Sequence, residues 1–260
     1  MMWRLGVAGC PIEHSVSPQL HDEGLRLAGL DGSSERVEIR REDAARLGEL
    51  LGTRFDALSI TMPLKDVAGD YCDSLDAVAE RTGSVNSLLV REGRVLGTST
   101  DGQGFLDALS GQMGLLVEDR HAVVLGAGGA ARAIVDALVG ANVASVAVHG
   151  RTQANVEALT SRYENVYDFS LTFRPIDLIV NTVPASGRVT EAAVLHGVGP
   201  GTVAVDITYE PRVSAWCALY EQAGCRTQNG LAMLAYQAAL QMQWWWDVAI
   251  DGAALLEVVS

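Results

Sequence analysis

The chain has 260 residues, 48% of them hydrophobic, and a formal net charge of −13. That length buries a sizeable core, read here as two domains, and the acidic balance argues against nucleic acid or an anionic membrane surface as partner. Cys10, Cys72, Cys217 and Cys225 lie far apart without metal-ligand spacing, and neither a signal peptide nor a bilayer-length apolar run is visible; a cytoplasmic protein with reduced cysteines and no metal is expected.

Residues 4–9 read as a strand running into Cys10-Pro11-Ile12-Glu13-His14-Ser15-Val16-Ser17-Pro18. Ser17 before Pro18 is a helix start, because a serine hydroxyl caps free N–H groups and proline is preorganised for the first turn. Leu20, Gly24, Leu27 and Ala28 form the expected inner face, while His14 and His21 read as local hydrogen-bonding residues. Two uses of the serines stay open: Ser17 only caps, or Ser15 and Ser17 present two hydroxyls beside a helix N-terminus, which suits a carboxylate. Residues 36–39 alternate like a strand, and residues 42–51 have the composition of a surface helix packing through Ala45, Leu47 and Leu51.

The next strand, residues 55–60, ends in Thr61-Met62-Pro63-Leu64-Lys65. Open α/β sheets place reacting groups just past the carboxyl ends of strands, although such a position also suits a solvated lysine. Residues 84–90 and 93–97 read as a hairpin turning near Glu92-Gly93. Asp101 then precedes a helical stretch with Phe105, Leu106 and Leu109, where its simplest role is an N-cap.

Val123-Val124-Leu125-Gly126-Ala127-Gly128-Gly129-Ala130-Ala131-Arg132-Ala133 reads as strand, tight turn and helix. The spacing Gly126-x-Gly128-x-x-Ala131 lets the backbone turn sharply and approach a diphosphate, while the helix N-terminus offers unpaired N–H groups. A glycine-rich turn with nothing bound is the alternative, and context decides between them. About twenty residues on, where this fold reads the ribose, a strand at residues 143–148 ends in His149-Gly150-Arg151-Thr152 and not in a carboxylate. An arginine with a threonine hydroxyl suits a 2′-phosphate, so NADP is favoured over NAD. Strands at residues 122–125, 143–148, 177–181 and 203–207 alternate with helical stretches, as a parallel sheet with crossover helices requires. A helix from Gly230 through Asp247 ends in Trp244-Trp245-Trp246, of which at least one must cover a neighbouring element or a partner subunit. Residues 251–259 form a last short helix.

Taken together, Gly9-x-Pro11-Ile12-x-His14-Ser15-x-Ser17-Pro18, Thr61-x-Pro63-x-Lys65, Val85-Asn86, Thr100-Asp101-Gly102, the glycine turn, Arg151-Thr152 and Asn229-Gly230-x-x-Met233-Leu234-x-x-Gln237-Ala238 resemble the shikimate dehydrogenase (shikimate/quinate 5-dehydrogenase) family over nearly the whole chain. The resemblance implies a two-domain α/β protein. Residues 1–100, completed by the C-terminal helices at 231–260, would be the α/β substrate domain, and 101–230 a doubly wound, Rossmann-type NADP-binding domain, with both ligands in the cleft between. It implies an oxidoreductase of the shikimate pathway in aromatic amino acid biosynthesis, reversibly reducing 3-dehydroshikimate to shikimate with NADPH.

Residue by residue, the resemblance makes Lys65 and Asp101 the catalytic pair, puts Ser15 and Ser17 on the substrate carboxylate, and puts Thr61, Asn86 and Gln237 on ring hydroxyls. Tyr209 resembles the tyrosine near that carboxylate, or else packs at the domain boundary, and Gly230 resembles the glycine allowing close approach to the nicotinamide. Gly126, Ala127, Gly128, Gly129, Ala130, Arg151 and Thr152 complete the cofactor set. Hydride arriving at a carbonyl carbon leaves negative charge on oxygen, which an ammonium group stabilises and protonates. A neighbouring carboxylate favours the ammonium form, so Lys65 suits the proton donor in reduction. The expected partner is a small cyclic hydroxy acid, and the expected state a monomer or homodimer.

Several positions depart from the family pattern: Asp22 and Ser99 replace asparagines, Ser59 stands where Asn is frequent, Gly150 replaces the Asn before Arg151, and Asn155 replaces a second basic residue. Ala185-Ser186-Gly187-Arg188 stands in place of the customary Gly-Met. A weaker cofactor site is expected, and substrate drift is open. The alternatives are a relative acting on quinate or an aminoshikimate-type analogue, with Asp22 favouring a cationic substituent if it faces the site, or a non-catalytic NADP-binding sensor.

Overall fold

Trp3–Gly9 form β1, a central strand with Leu5, Val7 and Ala8 buried. The computed structural model describes residues 2–169, 175–183 and 197–260. From β1 the chain passes through α1 (Ser17–Ala28) to β2 (Gly32–Glu38), and through α2 (Arg46–Leu50) to β3 (Ala57–Ile60). Both strands run parallel to β1, one on each side. Next come β4 (Ser74–Leu75), α3 (Ala77–Thr82) and an antiparallel hairpin of β5 (Ser87–Arg91) and β6 (Arg94–Thr98). Glu92 and Gly93, with φ of 53° and 74°, make its two-residue turn, in the left-handed geometry that matches strand twist.

The sheet order is β2-β1-β3-β5-β6-β4. Because β5 is antiparallel to both β3 and β6, the carboxyl ends of β1, β3 and β6 and the start of β5 share one sheet edge. Leu58 and Ile60 of β3 join a core with Val37, Ile39, Leu47, Phe55 and Leu64. Ser59, between them, points to the opposite face, as strand alternation requires.

After β6, α4 (Asp101–Ala108) leads into a second sheet: β7 (His121–Leu125), α5 (Gly129–Gly140), β8 (Ser145–His149), α6 (Gln153–Thr160), β9 (Val166–Asp168), β10 (Leu178–Asn181), β11 (Val203–Asp206), α7 (Ala215–Gln222) and β12 (Arg226–Gln228). All neighbours are parallel, in the order β12-β11-β10-β7-β8-β9. The strand order therefore reverses between β7 and β10, the doubly wound arrangement whose ligand crevice lies outside the carboxyl ends at that switch. The chain closes with α8 (Leu231–Trp246) and α9 (Gly252–Val259). Two compact units result, Met1–Phe105 with Leu234–Ser260, and Leu106–Met233, so α4 and α8 each contribute to both. No described helix is long and apolar enough to cross a membrane.

The structure corrects several expectations. The surface helix at residues 42–51 is a 3₁₀ turn at Arg41–Asp43 followed by the five-residue α2. Ala44 is buried and Ala45 exposed, and Gly48 in α2 weakens its tendency to extend. The buried arc of α1 runs through Leu20, His21, Gly24 and Leu25 and leaves Leu27 exposed, because the histidine, counted as polar, faces inward. Ser17 is not the cap: Val16 holds that position without a side-chain bond, and the Ser15 hydroxyl accepts the Ser17 N–H. Asp101 belongs to the first turn of α4, its carboxylate engaged elsewhere. β2 starts at Gly32, earlier than its apolar residues suggest, and the three-residue β9 and β12 carry no pattern long enough to read. Of the tryptophans, Trp245 is core and donates to Ser87 Oγ (2.8 Å), and Trp246 packs on Trp3 with ring centroids 6.1 Å apart.

Candidate active site

Four chain segments bring polar groups to the shared edge of the first sheet. Lys65 follows β3 and Asp101 follows β6, and Lys65 Nζ donates to Asp101 Oδ2 at 2.6 Å. The carboxylate side chain is 3% exposed and the lysine 19%, so the pair is shielded yet the ammonium reaches solvent. Two of its three protons stay available to an incoming oxygen, since an ammonium carries three donors. Asn86, just before β5, donates from Nδ2 to Asp101 Oδ1 (3.0 Å), so both carboxylate oxygens are held.

Asn86 is a junction. Its Nδ2 also lies 2.9 Å from Thr100 Oγ1 and 2.9 Å from Gln237 Oε1 of α8, while its Oδ1 accepts the Thr100 N–H at 2.9 Å. Three acceptors thus face two amide protons, and Gln237 Oε1 is left able to accept a hydroxyl proton from a ligand. Gln237 Nε2 is tied to Leu234 O (2.8 Å), which fixes the carbonyl end toward Asn86. Gly104 makes the approach of α4 to α8 possible: a Cβ there would lie 2.6 Å from Gln237 Cα. Thr100 is a member of this constellation that the sequence reading quoted only within a motif.

Beyond β1, the buried hydroxyls of Ser15 and Ser17 lie 3.2 Å apart. The expected Ser17 cap is not made; the Ser15 hydroxyl donates to Ser17 Oγ and accepts the Ser17 N–H. Arg36 of β2 donates from Nε to Ser15 O at 2.7 Å, setting a cation beside the serines that the sequence reading missed. Thr61 follows β3, its methyl against Gly9, where any side chain would collide with Thr61 and the Met62 carbonyl. The edge therefore carries Ser15, Ser17, Thr61, Lys65, Asn86 and Asp101 past or at strand ends, with Gln237 supplied by α8. Asp22 is exposed, and its carboxylate accepts a backbone hydrogen bond from Ser34 of the edge strand β2.

In the second unit, Gly126 follows β7 with φ +117°, and a Cβ there would overlap the Thr182 hydroxyl. Only glycine fits such a position. Gly128 is exposed with nothing within 4 Å of its would-be Cβ, and it precedes α5 without a side-chain cap. Gly129 and Ala130 are the first residues of α5, so open N–H groups face outward beside a bare backbone. Gly150 packs against this turn, its would-be Cβ 3.5 Å from that of Ala127, which brings exposed Arg151 and Thr152 to the same sheet end. A Cβ at Gly150 would also lie 2.9 Å from Val156, so the glycine is closely packed there. Tyr209 is half-buried beyond β11, and Gly230 abuts Ile207 O so closely that no side chain fits. Ala185, Ser186, Gly187 and Arg188 lie outside the described residues. Among the described residues, no group of His, Cys, Asp or Glu is arranged to hold a metal.

Residues 7–88 match the family model described as "Shikimate dehydrogenase substrate binding domain", and residues 110–212 match "Shikimate / quinate 5-dehydrogenase". A shikimate dehydrogenase (NADP(+)) of Exiguobacterium is 35% identical over 261 residues, covering 97% of each chain. The crystal structure of shikimate 5-dehydrogenase from Thermus thermophilus in complex with NADP(H) and shikimate is 33% identical, with a TM-score of 0.87 over 99% of this chain and 98% of that one. The shikimate dehydrogenase of Aquifex aeolicus, 26% identical, superposes with a TM-score of 0.88 over 100% and 97%. With both family models matched in order and that identity sustained along the chain, this protein belongs to the shikimate dehydrogenase family.

Proposed function

We propose that this chain catalyses the reversible, NADPH-dependent reduction of 3-dehydroshikimate to shikimate, with Lys65 and Asp101 as the catalytic pair. The carrying observation is the 2.6 Å ion pair between them, set at a sheet edge among fixed hydroxyl and amide groups. The relatives named for NADP and crystallised with NADP(H) and shikimate support both ligands.

The residues present fit the cofactor. Gly126 makes the turn, Gly128 leaves the backbone bare, the start of α5 at Gly129 and Ala130 offers N–H groups, and Arg151 with Thr152 suits a 2′-phosphate. Gly230 keeps the start of α8 free of a side chain. When bound, NADPH supplies the hydride. As negative charge grows on the carbonyl oxygen, the Lys65 ammonium stabilises it and delivers a proton. Asp101 holds that ammonium, and Asn86 holds Asp101. Ser15 and Ser17 receive the substrate carboxylate, helped by Arg36, while Thr61, Asn86 and Gln237 read the ring hydroxyls and Tyr209 assists at the carboxylate. A hydroxyl left unmatched in such a site costs affinity, so the polar lining selects a polyhydroxylated ring. The proposal extends to a cytoplasmic enzyme acting as monomer or homodimer, states that sedimentation of the purified protein separates.

The test follows absorbance of NADPH, with shikimate and quinate each offered against NADP and NAD. Rapid NADP reduction with shikimate, lost in Lys65→Ala, is the expected result; a folded protein that leaves NADP unreduced by shikimate refutes the proposal.

A further inference from the structure

Behind the junction at Asn86 lies a buried polar chain that the reaction as described does not use. Ser34 Oγ sits 2.7 Å from His21 Nδ1, and His21 Nε2 sits 2.8 Å from Ser59 Oγ. The Ser59 hydroxyl donates to Gln241 Oε1 at 2.5 Å, and Gln241 Nε2 donates to the Asn86 carbonyl at 2.7 Å. His21 and Gln241 are 0% exposed and Ser59 is 7% exposed.

Donor and acceptor types allow one direction only. The Asn86 carbonyl only accepts, so the Gln241 amide nitrogen faces it and Oε1 faces Ser59. Ser59 must then donate to Oε1 and accept from His21 Nε2–H, which leaves Nδ1 to take the Ser34 hydroxyl proton. Every member is satisfied when the histidine is neutral, and burial holds it so, pushing its pKa down to about 3. At the far end the Asn86 carbonyl also receives the Ile60 N–H at 2.7 Å, so both of its lone pairs are engaged.

We infer that His21, Ser59 and Gln241 are positioning residues, which act through Asn86 to hold Asp101, and so Lys65, in register. Apolar side chains of matching shape fill a core as well as such a chain, so stability alone does not call for it. The register it controls is that of Asn86, whose amide touches Asp101, Thr100 and Gln237 at 2.9–3.0 Å. Gln237, Gln241 and Trp245 follow one another at four-residue spacing on one face of α8, so a single helix carries both a ring-reading group and its support.

The inference rests on the catalytic reading of Lys65 and Asp101, and the test separates the two. Ser59→Ala is expected to lower kcat about tenfold, the scale of a small misplacement, with KM for NADP unchanged. Ser59→Thr, which keeps the hydroxyl, recovers most of that rate. In an Asn86→Ala background, Ser59→Ala should add no further loss, because its effect passes through Asn86. Independently of activity, ¹⁵N spectra should show His21 protonated on Nε2 and an Asn86 side-chain amide that shifts in Ser59→Ala. An unmoved Asn86 amide, or a kcat kept at wild-type level in folded Ser59→Ala, overturns the inference. A shifted amide in an enzyme indifferent to Lys65→Ala would overturn the catalytic reading and leave the coupling standing.

Discussion

The sheet edge around Asn86 and the turn after β7 are built by opposite means. At the edge, Lys65, Asp101, Asn86, Thr100 and Gln237 are held by one another at 2.6–3.0 Å. At the turn, Gly126 and Gly128 contribute by what they lack, one because a side chain would collide with Thr182, the other because the space beyond it is open. A constellation of side chains is weakened by removing a group, whereas a bare backbone is weakened by adding one.

The largest effect is expected from Lys65→Ala. Loss of the proposed proton donor and charge stabiliser should lower kcat/KM by about 10²–10⁴-fold, read by NADPH absorbance, with NADP affinity by fluorescence titration unchanged. If NADP affinity fell equally, the two regions would not be chemically separate and the comparison would break.

The glycines sharpen the other half. Gly126→Ala forces a side chain into φ +117° and into the Thr182 hydroxyl, so a stability loss of roughly 2 kcal/mol or more is expected in thermal unfolding. Gly128→Ala meets nothing within 4 Å and should leave the melting temperature in place while weakening NADP by about tenfold. Normal NADP affinity in Gly128→Ala would show that the diphosphate does not approach there.

How legible each region is follows from the same contrast. The strand, turn and helix could be read from the residues of the glycine stretch, whereas a bound diphosphate there needed the context of Arg151-Thr152 and of the strands that follow. Lys65 alone is ambiguous, and its meaning came from the blocks Thr61-x-Pro63-x-Lys65 and Thr100-Asp101-Gly102 standing in order. The chain behind Asn86 was not legible. Its bonds join residues 38 and 182 positions apart, and Ser59 showed only as a departure from pattern. His21 was expected to bond locally, whereas it bonds two strands remote in sequence. The Gln237-x-x-x-Gln241 spacing was the one available hint.

A pH series tests the buried side of the edge. The folded pKa of His21, about 3, lies below the ordinary 6.5, so the unfolded chain takes up a proton that the folded one refuses. The stability this site contributes is complete above pH 6.5 and is lost as pH falls toward 3. The loss approaches about 1.4 kcal/mol per pH unit within that window. Melting temperatures of the wild type should fall between pH 6.5 and 4 more steeply than those of His21→Gln, which carries no titrating group there. Parallel slopes would mean that His21 is not held neutral by the fold.

The smallest effect belongs to the second region's surface. Arg151 and Asn155 are exposed, so the charge that Arg151 presents to a 2′-phosphate is screened by solvent and salt. Arg151→Ala should reduce the preference for NADP over NAD by about tenfold at low ionic strength, and by less as salt is added. Asn155 lies in the first turn of α6, its N–H bonded to Thr152 O at 3.0 Å, close in sequence and space to that arginine's neighbour. Asn155→Arg should therefore raise NADP affinity a few-fold without touching kcat, because it adds charge where the family pattern carries a second basic residue. A gain in NADP affinity of equal size at 1 M salt would contradict an electrostatic origin, since there the Debye length shrinks to about 3 Å.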